Sequence, residues 1–111
     1  MLSKILSALK GSTSVPAIEH ELFVEAALNE HCYVIDVREP HEFKAGRITN
    51  AQNHPLSSFD PVRLPSDKPV VLVCQAGGRS ARALQAAHAA GRCDVVHYSP
   101  GTGGWIARGG K

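Results

Sequence analysis

An apolar run from Val70 to Cys74 leads directly into a glycine-containing loop and then into an alanine-rich stretch, and this succession constrains the fold more than any other segment. A short run of β-branched residues with no polar interruption is typical of a strand buried on both faces. The pair Gly77-Gly78 indicates a tight loop, and residues 80–90 are predicted to form a helix that ends at Gly91. We therefore expect Cys74 at the carboxyl end of a buried strand.

The rest of the chain alternates between strand and helix patterns. Further strands are predicted at 32–37, 51–53 and 95–98, and further helices at 19–30 and 40–45. A last short helix, anchored by Trp105, is predicted within the glycine-rich stretch 101–110. This alternation predicts an α/β fold, a three-layer α/β/α sandwich with a small, mostly parallel central sheet. Ligand sites in such sheets lie at the carboxyl ends of the strands. Cys74 is expected there, with Asp36 and Arg38 at the same edge.

Composition excludes several functional classes. The 111 residues suffice for one domain, and a net charge of +2 without a Lys/Arg run argues against a nucleic-acid partner. No stretch approaches the roughly 20 apolar residues that a membrane-spanning helix needs. Three cysteines without a C-x-x-C motif argue against a disulfide framework and favour a reducing, cytoplasmic setting. The six histidines form no i, i+4 pair and no cluster with cysteine, so we predict no metal site and no cofactor.

The N-terminal residues form a segment of their own. An apolar stripe at helical spacing consists of Leu2, Ile5, Leu6 and Leu9. It favours a helix docked on the domain's own surface, with contact to a membrane surface or a partner as the alternative. We therefore divide the chain into an amphipathic segment at 1–14 and a single domain at 15–111.

The predicted position of Cys74 is one that activates a thiol. The backbone N–H groups of a tight loop and the N-terminus of a following helix both stabilise a thiolate, so they lower the pKa of a cysteine there. Gly77 and Gly78 lack a Cβ, which lets the backbone turn its amides toward an anion. Cys74 is accordingly the candidate nucleophile. Cys32 and Cys93 lie at the starts of predicted strands and are interpreted as small buried side chains.

Four motifs, taken in order, resemble those of the rhodanese (sulfurtransferase) family. The segment Cys74–Ser80 resembles the family's active loop, C-x-x-G-x-R-S, and Asp36–Phe43 resembles its D-V-R-x-x-x-E-F signature. Gly46–Leu56 is similar to G-H-I-x-G-A-x-N-x-P-L, and Pro100–Trp105 is similar to the G-G-x-x-x-W element. The resemblance covers roughly residues 15–110 and implies the rhodanese fold.

The resemblance also implies sulfane-sulfur transfer. The Cys74 thiolate would take one sulfur atom from thiosulfate or another persulfide, hold it as a cysteine persulfide, and pass it to cyanide or a thiol. The implied binding loop consists of Gln75, Ala76, Gly77, Gly78, Arg79 and Ser80. Arg79 would provide a cation for an anionic donor, and Ser80 would cap the next helix or donate its hydroxyl into the loop.

Several alternatives remain open. Asp36 and Arg38 either support the site or form a structural pair that ties the first strand to neighbouring loops, which we favour. The chain could instead carry persulfide between proteins of a sulfur relay, or it could be a non-catalytic binding module, against which the intact Cys74 argues. A small phosphatase or arsenate reductase is disfavoured, because those loops have the form C-x5-R and Arg79 follows Cys74 after only four residues.

Overall fold

The computed structural model of the protein describes residues 16–110, so the predicted amphipathic segment at 1–14 lies outside the described residues. The helices are α1 (His20–Leu28), α2 (Pro40–Ala45), α3 (Gly78–Ala89) and α4 (Gly101–Ala107). The strands are β1 (Tyr33–Asp36), β2 (Ala51–Asn53), β3 (Val70–Val73) and β4 (Val95–His97). Two 3-10 turns, Leu56–Ser58 and Pro61–Arg63, connect β2 to β3. Each predicted helix and strand is present, and only the ends differ.

The strands of the described chain form one sheet in the order β2-β1-β3-β4, and every neighbouring pair is parallel. Asp36 of β1 lies beside Val73 of β3, and Leu72 of β3 lies beside His97 of β4. The strands β1, β3 and β4 therefore end at the same edge of the sheet. Cys74 follows β3 directly, so it lies at that edge, where the predicted parallel sheet would place it.

Helices cover both faces of the sheet. Along β3, Val71 and Val73 pack on one face with residues of α1 and α4, whereas Val70 and Leu72 pack on the other face with residues of α3. All of β3 is buried, which explains why its sequence is apolar at every position. The predicted three-layer α/β/α sandwich is confirmed.

Aromatic packing fixes α1 and α4 on their face of the sheet. Phe23 of α1 stacks on Tyr98 with 4.3 Å between ring centroids, and it meets Trp105 of α4 edge-on at 5.4 Å. Trp105 is buried and anchors the last helix, as the sequence predicts. Between residues 16 and 110, no helix is long and apolar enough to cross a membrane.

The helix α3 begins two residues before the predicted start. Gly77 is its N-cap, in a left-handed conformation with φ +103°, and Ser80 lies within the first turn. A Cβ at position 77 would lie 2.6 Å from the carbonyl oxygen of Ser99, so this tight turn requires glycine. The prediction that Ser80 caps the helix is wrong, because the turn at Gly77 starts the helix before Ser80 is reached. Its hydroxyl instead points into the loop, which was the alternative prediction.

Candidate active site

Cys74 lies at the base of the loop that joins β3 to α3. It is 1% exposed and belongs to the apolar cluster beneath α3. The amide of Gly77 donates a hydrogen bond to Sγ at 3.1 Å, and the Ser80 hydroxyl oxygen lies 3.6 Å from Sγ. The loop therefore brings a backbone amide and a hydroxyl close to the sulfur.

Two opposing effects set the pKa of Cys74. Burial raises the pKa of the thiol, because an apolar environment disfavours the thiolate. Hydrogen bonds from the Ser80 side chain and from the amides of Ser80, Ala76 and Gly77 lower it. The hydrogen bonds prevail, and the pKa of Cys74 lies below its ordinary value. Since the thiolate is the nucleophilic form, this environment prepares Cys74 for attack.

The first turn of α4 holds the loop in place. The amide of Thr102 donates to the Cys74 carbonyl at 2.8 Å, and the amide of Gly103 donates to the Gln75 carbonyl at 3.1 Å. Gly101 has φ +67°, and a Cβ there would lie 2.5 Å from the Gln75 oxygen and 2.6 Å from the Cys74 oxygen. The close approach of α4 to the loop therefore depends on glycine at position 101.

Arg79 does not stand free beside the sulfur. Its guanidinium donates to both carboxylate oxygens of Glu42 on α2, at 2.6 and 2.9 Å. This pairing lowers the pKa of Glu42 to about 2, chiefly through the hydrogen bonds from Arg79. The sequence predicts the cation at position 79 but not the carboxylate that balances it.

Asp36 and Arg38 form a buried ion pair, with 2.8 Å between Arg38 Nη2 and Asp36 Oδ2. The same guanidinium donates to the carbonyl of Gly46 at 2.6 Å and to the side-chain oxygen of Gln75 at 3.3 Å. The pair thus joins the end of β1 to the end of α2 and to the loop. The pair therefore ties the first strand to neighbouring loops, and its supporting role in the site stays a prediction.

The other predicted loop residues have separate places. Gln75, Ala76 and Gly78 are exposed, whereas Gly77 and Ser80 are buried. The Gln75 side chain contacts Arg38, Ala76 contributes its amide to the environment of Cys74, and Gly78 begins α3. Among the predicted loop residues, the structure brings the amide of Gly77 and the hydroxyl of Ser80 directly to Sγ.

His97 is a site residue that the sequence reasoning missed. It is buried at the end of β4, and its Nδ1 lies 2.9 Å from the Ser80 hydroxyl oxygen. Val95 packs with α3, and the side chain two residues later on a strand points to the same face. Strand alternation could therefore have placed His97 beneath α3, but the sequence does not show that Ser80 is the residue it meets.

The other cysteines differ from each other. Cys32 is buried, and burial raises its pKa to about 12, so it is an inert thiol. Cys93 is exposed, so the prediction that it is buried is wrong. It lies in the turn between α3 and β4, where the chain has not yet entered the sheet.

Within residues 16–110, no group of three His, Cys, Asp or Glu side chains comes together to hold a metal ion.

A cavity of about 420 Å³ lies on the α1 face of the sheet, away from this loop. Its walls include Val24 of α1, Trp105 of α4 and Arg108. None of residues 74–80 lines it. The chemistry of Cys74 therefore belongs to the loop after β3 and not to this cavity.

Known proteins share this architecture. The rhodanese-like domain family matches residues 22–108. The uncharacterised Synechocystis protein slr1261 is 41% identical over 78 residues, which are 68% of this chain and 44% of that protein. MoeZ of Mycobacterium tuberculosis, a probable adenylyltransferase/sulfurtransferase, is 38% identical over 102 residues, which are 88% of this chain and 25% of that protein. A rhodanese-related protein of Thermoplasma volcanium superposes with a TM-score of 0.75 at 30% identity, covering 86% of this chain and 94% of that one.

The chain belongs to the rhodanese-like domain family. The match includes the whole parallel sheet and the loop that carries Cys74. The chain spans 44% and 25% of the lengths of the two sequence relatives, so it corresponds to one part of each. The predicted family and fold are therefore confirmed.

Proposed function

We propose that this chain is a sulfurtransferase in which Cys74 carries a sulfane sulfur as a persulfide. The observation that carries the proposal is a buried cysteine whose sulfur meets the Gly77 amide at 3.1 Å and the Ser80 hydroxyl at 3.6 Å. Donors placed in this way stabilise a sulfur anion, and the pKa of Cys74 lies below its ordinary value. Membership of the rhodanese-like family supports the same activity.

In the first half-reaction, the Cys74 thiolate attacks the outer sulfur of thiosulfate. A bond forms between Sγ and that sulfur, the sulfur–sulfur bond of thiosulfate breaks, and sulfite leaves with the electron pair. The negative charge moves from Sγ to the terminal sulfur of the new persulfide. The amides of Ala76 and Gly77 and the Ser80 hydroxyl are the donors available to that charge.

In the second half-reaction, cyanide or a thiolate attacks the terminal sulfur of the persulfide. The bond to Sγ breaks, Cys74 leaves as a thiolate with the electron pair, and the acceptor departs as thiocyanate or as a new persulfide. Hydrogen bonds that lower the pKa of Cys74 make its thiolate a better leaving group. The same donors therefore assist both halves of the cycle.

A second candidate is a persulfide carrier in a protein sulfur relay. The observation that favours it is the charge at the loop, where Arg79 is paired with Glu42 and Arg38 is paired with Asp36. A dianionic donor such as thiosulfate gains less from a paired cation than from a free one. A protein persulfide would then be the donor in the cell, and thiosulfate a laboratory substrate.

The proposed chemistry suits a reducing compartment. All three cysteines are free, and a persulfide cycle requires Cys74 to return as a thiolate. We therefore place the activity in the cytoplasm. Its partners would be a small anionic sulfur donor with a thiol or cyanide acceptor, or a protein of a sulfur relay.

Intact-protein mass spectrometry after incubation with thiosulfate tests the proposal. We expect the mass of one sulfur atom to be gained, lost again on addition of cyanide, and absent in Cys74→Ser. Cys93→Ser is the matched control, because it removes the exposed thiol and should leave the gain intact. A protein that gains sulfur from a persulfide donor but not from thiosulfate would support the relay. Failure with every donor, or Cys74-dependent hydrolysis of an aryl phosphate, would contradict sulfur transfer.

A further inference from the structure

The Ser80 hydroxyl lies between Cys74 and His97. Its oxygen is 3.6 Å from Cys74 Sγ, 2.9 Å from His97 Nδ1 and 3.2 Å from the carbonyl oxygen of Gly77. Ser80 is fully buried, and Cys74 and His97 are 1% and 5% exposed. Water therefore has little access to this row of groups, so their hydrogen bonds are made to one another and to the backbone of Gly77.

Packing between α3 and β4 fixes the row. Ser80, Ala83 and Ala87 share the buried face of α3, and Val95 and His97 share the face of β4 that meets it. The His97 backbone is held on its other side, because its amide donates to Pro16 and its carbonyl accepts from Ile18, each at 3.0 Å. The imidazole ring therefore reaches Ser80 from a fixed strand.

The Ser80 hydroxyl has a single proton, so it can donate a full hydrogen bond to only one acceptor at a time. Ser80 can donate that proton to Cys74, to His97 Nδ1 or to the Gly77 carbonyl. When Cys74 carries a negative sulfur, the proton is needed there. The proton stays available only if His97 Nδ1 carries a proton of its own and donates it to the Ser80 oxygen.

We propose that His97 is a positioning residue, whose Nδ1–H donates to Ser80 and thereby directs the Ser80 hydroxyl toward the sulfur anion on Cys74. This deepens the proposed sulfurtransferase function and concerns the same site. It requires only the Cys74 thiolate, so it can be tested without any sulfur transfer. His97 acts entirely through Ser80 and does not touch the sulfur.

The charges around the row agree with a neutral imidazole. Burial lowers the pKa of His97, and no charged side chain contributes to that shift. Near the loop, Arg79 on α3 is paired with Glu42 on α2, and Arg38, which contacts Gln75, is paired with Asp36 at the end of β1. All four charges are paired with each other and not with His97. The tautomer of His97 is therefore the variable that sets the direction of the Ser80 proton.

The pKa of Cys74 measures this effect. We would follow alkylation by iodoacetamide against pH in Cys93→Ser, which leaves Cys74 as the reactive thiol because burial raises the pKa of Cys32 to about 12. His97→Leu should raise the pKa of Cys74 by about half a unit to one unit, the size of one modest hydrogen bond. A fall in that pKa would mean that His97 accepts the Ser80 proton, and it would overturn the proposal.

Ser80→Ala distinguishes positioning from a general structural effect. If His97 acts through Ser80, then His97→Leu should change the pKa of Cys74 no further once Ser80→Ala is present. A further rise of similar size in the double variant would contradict the proposal. His97→Asn, whose amide can still donate to Ser80, should retain most of the wild-type pKa. His88→Leu is the matched control, because His88 bonds to the carbonyl of Val95 on the same strand and should not affect Cys74.

The tautomer can be read directly in the wild-type protein. Long-range proton–nitrogen NMR of the His97 ring at a pH above the pKa of Cys74 should show the proton on Nδ1. A proton on Nε2 alone would overturn the proposal even if every variant failed to fold. An unchanged pKa of Cys74 in His97→Leu would also overturn this role of His97. If the wild-type protein takes up sulfur from no donor while His97→Leu still raises the pKa of Cys74, the proposed function fails and the role of His97 stands.

Discussion

Arg79 and Glu42 lie 37 positions apart in the chain and form a bidentate ion pair. Nη1 of Arg79 lies 2.6 Å from Oε1 of Glu42, and Nη2 lies 2.9 Å from Oε2. The pair joins the first turn of α3 to α2 at the side of the loop that holds Cys74. Two parallel hydrogen bonds fix the plane of the guanidinium, so its orientation is set by Glu42 before any donor arrives. The charge of the loop is therefore adjustable by changing Glu42 alone.

Glu42→Gln should increase kcat/KM for thiosulfate more than it increases kcat/KM for a monoanionic persulfide donor. Removing the carboxylate leaves the charge of Arg79 unbalanced, and a dianion gains more from it than a monoanion. We expect kcat/KM for thiosulfate to rise roughly threefold or more at low salt and the gain to shrink as salt is added. Glu39→Gln is the control, because it removes the same charge from the N-cap of α2 and leaves Arg79 paired. Equal effects on both donors would show that charge is not the cause.

The Arg79–Glu42 pair should also make stability depend on pH in the acid range. Arg79 lowers the pKa of Glu42 from 4.5 to about 2, so the folded state favours the ionised carboxylate. The stability from this group is complete above the unfolded pKa and is lost as the pH falls from 4.5 to about 2. In thermal unfolding, the wild-type melting temperature should exceed that of Glu42→Gln at neutral pH. This difference should decrease to zero as the pH falls from 4.5 to about 2. A difference that stays constant there would refute the assignment.

Asp36→Ala should destabilise the fold strongly. It leaves Arg38 buried without its carboxylate, and removing one partner of a buried ion pair typically costs about 3–5 kcal/mol. Urea unfolding provides the measurement. Arg63→Ala is the control, since its pair with Asp60 is 3.6 Å long and both side chains are exposed. That variant should change the free energy of unfolding by less than about 1 kcal/mol, and similar losses in both variants would contradict the role of Asp36.

Gly101→Ala should displace the loop and lower both stability and sulfur transfer. The new Cβ would lie 2.5 Å from the Gln75 oxygen and 2.6 Å from the Cys74 oxygen, so the loop or α4 must move. We expect the free energy of unfolding to fall by more than about 2 kcal/mol, because backbone strain and the clash act together. Gly109→Ala is a matched control, because Gly109 also has a positive φ but has open space around it. The Gly109→Ala variant should lose about 1 kcal/mol of its free energy of unfolding from strain alone and should keep its sulfur-transfer activity.

Much of the fold could be predicted from local pattern. The uninterrupted run from Val70 to Cys74 predicts a strand between two helix layers, because only such a strand is apolar at every position. Parallel strands bring their carboxyl ends to one edge, so the sequence alone predicts that Cys74 and Asp36 lie at that edge. Gly91, at φ +87°, ends α3 where the sequence predicts a glycine terminator.

The contacts between distant segments could not be predicted. Glu42 meets Arg79, and His97 meets Ser80, through the packing of helices and a strand that local spacing does not describe. The helix α3 starts two residues before its predicted start because Gly77 adopts a left-handed turn, which a sequence pattern does not distinguish from an ordinary loop glycine. Cys93 is expected to be buried, but it lies in the turn two residues before β4 and is exposed.

The depth of Cys74 gives the proposed cycle a built-in order of access. Because Cys74 is only 1% exposed, a reagent with a narrow leading atom should reach the thiol more easily than a bulky one. Loading adds a sulfur atom at a bond length of about 2 Å, so the reactive atom of the persulfide lies that distance from Sγ. We therefore expect the Cys74 thiol to be protected from bulky disulfides. The transferable sulfur becomes available to an acceptor only after the persulfide has formed.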